Sequence, residues 1–219
     1  MSRQGKTGAW ILGAALAFGV FLLLGMTVSR NAEPAYLIAW ERALFDRATP
    51  IAWRLTQSCY PVVLVPICIA LLVLAAFLRT WRVRIILSIV TLLVSWRAAD
   101  FFQHYFARPR PEMWVVKHEL TFSYPSSHAA IAFGFYGLWA VLLYCSGLPK
   151  GLRAGGASLL AIFALAICWS RVALGAHYIT DLIGGALLGL ATVLISVAAV
   201  VAIFGRVAGP AVPGKNRAA

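Results

Sequence analysis

His177 and Asp181 lie four residues apart, where the last apolar segment of the sequence begins. In a helix, this spacing places both side chains on one face, one turn apart. An aspartate in that place can accept the Nδ1 proton of the imidazole, fix its tautomer and leave Nε2 as a base or nucleophile. A structural His–Asp contact at a helix start is the alternative for an isolated pair.

Arg171 lies near the end of the preceding apolar segment, where a guanidinium needs a partner. Its planar fork of donors suits an anion with several oxygens, although the side chain could instead extend to the membrane interface. Gly175 allows the chain to turn between Arg171 and His177. The pattern therefore indicates an anion site beside the histidine.

The stretch SYPSSH places Ser126, Ser127 and His128 at the start of the fourth apolar segment. Serine is a favourable N-cap, and a helix N-terminus offers free N–H groups and a positive dipole end to an anion. His128 could donate a proton to a leaving oxygen there. An ordinary cap followed by an interfacial histidine is the alternative.

The stretch ARPRP follows the third apolar segment and contains Arg108 and Arg110, each followed by proline. Because proline fixes backbone angles, it limits where the guanidinium groups can swing; a stiff basic loop is the alternative. Together, the three clusters supply phosphate-compatible donors and two histidines, without an acidic set that resembles a metal site. They favour metal-independent phosphoryl transfer through a phosphohistidine.

The elements that must position these clusters are membrane helices. Of the 219 residues, 62% are hydrophobic and 12% are charged, and the mean hydropathy is +0.85. A helix needs about 20 apolar residues to cross the hydrocarbon layer. The segments near that length are 9–28, 59–78, 85–105, 129–146, 155–174 and 178–204. We predict an all-α, polytopic membrane protein with six transmembrane helices in one domain, residues 1–208.

Residues 33–57 mix apolar and charged side chains at helical spacing. They predict an amphipathic interfacial segment after the first transmembrane helix, with a long connecting loop as the alternative. Gly185 and Gly189 would let the last helix pack closely on a neighbour. Residues 209–219 are predicted to be a disordered cytoplasmic tail.

The net charge of +12 comes from 19 basic and 7 acidic residues. Basic residues crowd the connections 79–84 and 150–153 and both chain ends, which predicts cytoplasmic termini and an outward-facing site. The sequence lacks the aromatic interleaving of a nucleic-acid reader, so lipids are the expected anionic partners. The four cysteines lie within apolar runs and are expected to be inert.

The three clusters resemble the three sequence blocks of the type 2 phosphatidic acid phosphatase superfamily, which includes integral membrane lipid phosphatases. The third block, S-R-x5-H-x3-D, is matched in full, the second, P-S-G-H, at three positions, and the first, K-x6-R-P, at its last two. The matching residues are Ser170, Arg171, His177 and Asp181; Pro125, Ser126 and His128; and Arg110 and Pro111.

The resemblance implies that His177 is the nucleophile, that Asp181 orients it and that His128 protonates the departing oxygen, with no cofactor or metal. The residues expected to bind the substrate phosphate are Arg110, Ser126, Ser127, Arg171, Gln103 and Arg108. Gln103 stands where the family has lysine, and Ser127 where glycine is usual. Without the lysine, the phosphate-binding residues have one positive charge fewer. Lys117 or Arg108 could supply that charge instead.

By the same resemblance, we expect a lipid phosphate or pyrophosphate phosphatase at the outer face of a bacterial inner membrane, with undecaprenyl pyrophosphate as the first candidate substrate. Other candidate activities are phosphatidylglycerol phosphate, phosphatidate or lipid A phosphatase, and lipid phosphotransferase. A non-catalytic phospholipid binder or transporter represents a different class. The sequence makes no prediction of oligomeric state.

Overall fold

The computed structural model describes residues 3–45, 50–111, 119–205 and 207, and within them it contains helices and loops but no strand. Lys117 and the predicted tail lie outside these residues. The helices are α1 (Arg3–Val28), α2 (Ala35–Phe45), α3 (Pro50–Gln57), α4 (Pro61–Phe77), α5 (Arg82–Phe106), α6 (Ser127–Ile131), α7 (Gly137–Tyr144), α8 (Lys150–Ala173) and α9 (Ile179–Phe204). A π-helical turn, Ala132–Tyr136, joins α6 to α7.

Within the described residues, five helical segments are long and apolar enough to cross a membrane. They are α1, α5, α8, α9 and the run Ser127–Tyr144 that comprises α6, the π-helical turn and α7. The predicted span 59–78 corresponds to α4, which passes the same test only together with α3, from which it is bent by 42°. The prediction of an all-α multi-pass membrane protein is confirmed, with five or six spans.

The connection between α1 and α4 is helical, as predicted, but part of it belongs to the bundle. Ala52 of α3 is buried against Ala173 and Leu174 of α8. Glu41 of α2 is 1% exposed, and its Oε1 accepts a hydrogen bond from Ile179 N, at the start of α9, at 2.7 Å. A buried carboxylate needs such a donor. The contact joins α2 to the start of α9, so α2 packs over the end of the bundle and does not only lie on the membrane surface.

α9 contacts α1, α5 and α6 and is buried along much of its length. A Cβ at Gly185 would collide with the carbonyl of Ser126, and one at Gly189 would lie 2.6 Å from the carbonyl oxygen of Ala130. The close helix packing predicted from these small residues is therefore present. It holds the N-terminus of α6 against the first turns of α9.

Tyr124 anchors the loop that precedes α6. Its buried ring stacks on Phe21, with 5.6 Å between centroids, and meets Phe106 edge-on at 5.1 Å. Its hydroxyl donates to the Phe21 carbonyl at 2.6 Å. Gly25 and Gly184 leave room for the ring, since a Cβ at either position would collide with it. The loop is thereby fixed between α1, α5 and α9.

Candidate functional site

The three sequence clusters meet at one end of the helical bundle. Asp181 lies in the first turn of α9 and His177 in the turn just before it. Arg171 lies at the end of α8, Arg110 beyond the end of α5, and His128 in the first turn of α6. The turn between α8 and α9 contains a glycine with φ 64°, as the predicted reversal requires. The fold thus brings together side chains that are far apart in sequence.

The imidazole of His177 lies between a carboxylate and a guanidinium. Its Nδ1 is 3.5 Å from Asp181 Oδ2 and 3.4 Å from Ser123 Oγ, and Ser123 donates a hydrogen bond to the same carboxylate oxygen. Its Nε2 is 3.0 Å from Arg110 Nη1. Because a guanidinium nitrogen only donates, Nε2 is the acceptor and the proton of the neutral ring belongs on Nδ1.

Asp181 is fully buried and both of its oxygens are engaged. Oδ1 accepts from Arg108 Nη1 at 2.6 Å, and Oδ2 accepts from Tyr178 N at 2.9 Å and from Ser123. A carboxylate held by these donors has a fixed orientation towards His177. The structure thus brings His177 and Asp181 within 3.5 Å of each other, and Ser123 contacts both.

Glu119 joins Arg110 to Arg171. Arg110 Nη1 lies 3.1 Å from one carboxylate oxygen, and Arg171 Nη2 donates to the other. Burial raises the pKa of Glu119, but the charges of Arg171 and Arg110 outweigh burial and hold that pKa below its usual value. Two guanidinium groups that share one ionised carboxylate form a site suited to an anion with several oxygens.

Arg171 is 1% exposed, although it carries a full charge. Besides Glu119, it contacts Thr56 of α3, whose Oγ1 accepts from Nη1 at 2.8 Å. Its buried Nε has no hydrogen-bond partner among the described residues. Such an unpartnered donor is costly without a ligand, which agrees with a place for an anion beside Arg171.

Ser126 caps α6 as predicted, since its Oγ accepts from Ala129 N at 3.4 Å. His128 follows in the first turn and is buried, with the edge of its ring against Tyr60 at 5.1 Å between centroids. Neither ring nitrogen of His128 makes a well-aligned hydrogen bond to a described residue, although the Thr56 backbone lies near the ring.

The titratable side chains with the strongest electrostatic influence on His128 are Arg171, His177 and Arg110. These are the side chains that form the anion site and the His–Asp pair. Both predicted histidines therefore lie within electrostatic range of the same two arginines. A ring whose nitrogens are not engaged in the described structure is available to a substrate oxygen.

Two predicted phosphate-binding residues have other partners. Gln103 is buried, and its Nε2 donates to the Pro125 carbonyl at 2.9 Å, so this amide fixes the main chain before Ser126. Arg108 is 4% exposed and contacts two carboxylates, Asp181 and Glu33, each at 2.6 Å. Because each of its terminal nitrogens contacts a buried carboxylate, Arg108 supports Asp181 in this structure, and its contact with the phosphate stays a prediction.

Burial, together with the positive charges of Arg110 and Arg171, holds the pKa of His177 well below its usual value, while Glu119 partly opposes this. The ring is therefore neutral at pH 7, and Nε2 keeps its lone pair. A neutral imidazole of this kind can act as a nucleophile.

An apolar groove of about 450 Å³ opens beside His128. It runs between α4 and α5, and Ser127, which is partly exposed, lies with His128 on its lining. Other lining residues are Leu64, Cys68, Leu72, Ile89, Leu93 and Trp96. The groove thus links the phosphate-compatible site to an apolar surface of two membrane helices.

Several polar contacts of the site were not predicted from the sequence. Thr56 contacts Arg171, Glu119 joins the two arginines, Glu33 contacts Arg108, and Ser123 contacts Asp181. Among them, only Ser123 lies within a stretch singled out in the sequence, SYPSSH. The others come from separate segments, and no spacing in the sequence relates them to the histidines.

Comparisons with known proteins give two sequence matches and one structural match. A family model described as the PAP2 superfamily matches residues 82–204. An Escherichia coli (strain K12) protein provisionally named undecaprenyl-diphosphatase YbjG is 36% identical over 104 residues, which are 46% of this chain and 47% of that protein. The chain thus matches about half the length of this curated relative.

The fold also resembles a solved structure, the crystal structure described as that of the first transmembrane PAP2 type phosphatidylglycerolphosphate phosphatase from Bacillus subtilis. The TM-score is 0.71, and the match covers 87% of this chain and 96% of the other. The sequence identity is 23%. The match extends over almost all of the solved chain, and at this identity it concerns the fold alone.

Proposed function

This chain belongs to the PAP2 superfamily, and from that premise we propose that it is a lipid phosphate phosphatase that works through a phosphohistidine on His177. The observation that carries the proposal is the orientation of the imidazole. Nε2 faces Arg110 at 3.0 Å, while Nδ1 faces Ser123 and Asp181. A nucleophile beside an anion site, with its other nitrogen oriented by a carboxylate, is what nucleophilic catalysis requires.

In the first step, Nε2 of His177 attacks phosphorus, and an N–P bond forms as the bond to the leaving oxygen breaks. His128 donates a proton to that oxygen. Arg110 and Arg171 neutralise the charge that develops on the other phosphate oxygens. In the second step, water attacks phosphorus and gives a proton to His128, the N–P bond breaks, and inorganic phosphate leaves.

We propose that this chemistry needs no metal. The positive charges that face the anion site come from arginine side chains. In the part of the chain that the structure describes, no three His, Cys, Asp or Glu side chains are grouped as a metal site requires. Arg110 and Arg171 would therefore supply the neutralising charge that a metal ion supplies in other phosphatases.

The groove beside His128 supports a lipid substrate. It is lined almost entirely by apolar side chains, and Leu72 and Leu93 on its lining remain about half exposed, at 51% and 48%. A lipid whose phosphate contacts the arginines could place its first methylenes there, each contributing about 0.8 kcal/mol on burial. The groove would then select an amphiphilic phosphate over a soluble one.

We further propose undecaprenyl diphosphate as the substrate. The support is the name of the E. coli relative, which is similar over about half of each chain. Phosphatidylglycerol phosphate is the second candidate, because the structural neighbour is described as a phosphatase of that lipid. A lipid acceptor in place of water would make the protein a phosphotransferase, and loss of turnover with retained head-group binding would make it a non-catalytic binder or transporter.

We propose that the site faces the outer side of a bacterial inner membrane. Arg79, Arg82 and Arg84 lie at the start of α5, and Lys150 and Arg153 at the start of α8. The site lies at the opposite ends of both helices. Because short basic connections stay on the cytoplasmic side, this distribution supports an outward-facing site.

Phosphate release from a panel of lipids tests the proposal. Purified protein in detergent is expected to release phosphate from undecaprenyl diphosphate faster than from phosphatidylglycerol phosphate, phosphatidate or soluble p-nitrophenyl phosphate. EDTA is expected to leave the rate unchanged. A rate abolished by EDTA and restored by a divalent cation would overturn the metal-independent mechanism, and binding without release from any lipid would favour the non-catalytic binder.

Glu119→Gln is expected to lower KM for the lipid phosphate by about fivefold, because the carboxylate competes with phosphate for Arg110 and Arg171; this corresponds to about 1 kcal/mol of a partly exposed ion pair. The inhibition constant of inorganic phosphate is expected to fall by a similar factor. Initial rates over a range of lipid and phosphate concentrations give both values. A raised KM would show instead that Glu119 holds the two arginines in place for the substrate.

A further inference from the structure

We propose that Glu33 is a positioning residue for the His177–Asp181 pair and acts on it through Arg108. Glu33 lies just before α2, in the connection that the sequence indicated as an interfacial segment. The inference rests on the proposed function, because it concerns how His177 is activated. It assigns a part in the reaction to a segment outside the three sequence clusters.

The contacts form a continuous chain from Glu33 to the imidazole. Arg108 Nη2 donates to Glu33 Oε2 at 2.6 Å, and Arg108 Nη1 donates to Asp181 Oδ1 at 2.6 Å. Thr180 Oγ1 accepts from Arg108 at 2.8 Å and donates to Glu33 Oε2 at 2.8 Å. Asp181 then contacts His177 through its other oxygen. Each link is a direct contact between side chains.

The three charged side chains are buried, with side-chain exposures of 1% for Glu33, 4% for Arg108 and 0% for Asp181. Ion pairs at the surface contribute little, but buried charges of this kind interact strongly and leave an uncompensated charge when one member is removed. Glu33 Oε1 also has no hydrogen-bond partner among the described residues.

The charges behind the imidazole are predominantly negative. Glu33 and Glu41 approach from the α2 segment, and Arg108 from the loop after α5, with its guanidinium over the Tyr178 ring at 4.3 Å. Asp181 belongs to α9. Burial raises the pKa of Glu41 to about 7, so Glu41 is only partly ionised near neutral pH. The carboxylates of Glu33 and Asp181 share one guanidinium, that of Arg108.

This excess of negative charge has a consequence for the reaction. When Nε2 bonds to phosphorus, the imidazole becomes more positive, and negative charge behind it stabilises that change. If Arg108 contacted Asp181 alone, it would neutralise that aspartate more completely. With Glu33 present, Arg108 still holds Asp181 in place. Its positive charge is shared with Glu33, so the negative charge of Asp181 that favours the phosphohistidine is preserved.

Glu33→Gln tests the inference, with Asp100→Asn, partly exposed on α5, as the matched control. We expect kcat for the best lipid of the panel to fall about tenfold, in the range for partners that orient a reacting group, with KM within a factor of two. The acid limb of the kcat/KM profile is expected to move about one pH unit lower, because His177 loses a neighbouring negative charge. Asp100→Asn is expected to change neither value.

A reduced kcat with an unmoved acid limb would overturn the inference, because it would show a merely structural role. Glu33→Asp keeps the charge and is expected to restore the acid limb. If Glu33→Gln does not fold, Arg108→Lys decides, because lysine keeps the charge but cannot hold both carboxylates in a fixed fork; wild-type kcat would overturn the inference. Absence of turnover by the wild-type protein on every lipid would instead contradict the proposed function.

Discussion

Alanine in place of His177 is expected to reduce the rate of phosphate release at saturating lipid by about four orders of magnitude, the scale seen when a catalytic nucleophile is removed. Without Nε2, no phosphoenzyme can form. Arg110 and Arg171 would still bind and polarise the phosphate, so KM is expected to change by less than about threefold, as for a residue that acts mainly in the chemical step. Initial rates measured over a range of lipid concentrations separate the two effects.

The proposed covalent intermediate gives a second measurement on the same substitution. Rapid denaturation in alkali of wild-type protein mixed with radiolabelled lipid phosphate is expected to trap label on His177, and none on the alanine variant. His104→Ala is the matched control, because this histidine is exposed on α5 and contacts the backbone carbonyl of Asp100 at 2.8 Å. Turnover or trapped label that survives the loss of His177 would contradict the proposed mechanism.

The low pKa of His177 sets the sign of two pH effects. In the folded protein the ring of His177 stays neutral at pH values where a free imidazole would be protonated. The fall of kcat/KM at low pH that comes from protonation of His177 is therefore expected below pH 6.5. The unfolded chain binds a proton there that the folded protein does not. The contribution of His177 therefore lowers stability as pH falls below about 6.5, and this pH-dependent loss is expected to be absent from the alanine variant.

The parts of the site that the sequence predicted are local in the chain. The spacing of His177 and Asp181 is read directly from helix geometry, and Ser126 is a cap because serine before an apolar run competes well for free N–H groups. Gly185 and Gly189 predicted close packing because small residues four apart lie on one face of a helix. The cap and the close packing need only a helix and its immediate neighbours, and the structure contains both. His177 lies in the turn before α9, so it meets Asp181 across the start of that helix and not from the preceding turn of the same helix.

The remaining parts depend on contacts between distant segments. Arg108 and Arg110 have the same type and the same following residue, so no local rule distinguishes the one that reaches Nε2 of His177 from the one that supports Asp181. Glu33 and Glu119 lie in polar segments, where charged side chains are ordinarily solvated. Only the packing of α2 over the start of α9, and the approach of Glu119 to Arg171, give these residues a place in the site.

Lysine in place of Arg171 is expected to lower kcat by about 100-fold, which is the size of the loss when one donor to a developing oxyanion is removed. The substitution keeps the positive charge but loses the planar guanidinium with its several donors. A lysine ammonium could not contact Thr56 and the substrate phosphate at the same time. Arg97→Lys is the matched control, because Arg97 is exposed on α5 and lies over the Trp96 ring at 5.5 Å. Initial rates of both variants at saturating lipid give the comparison.

Vanadate distinguishes loss of transition-state binding from a general disturbance of the site. It can take the five-coordinate geometry of the phosphoryl group in transfer, so its inhibition constant is expected to rise in the Arg171→Lys variant by about the factor lost in kcat/KM. Inhibition by inorganic phosphate, which resembles the ground state, is expected to weaken less. An unchanged vanadate constant would show that Arg171 does not contact the transferring group, and the charge would then have to come from Arg110 alone.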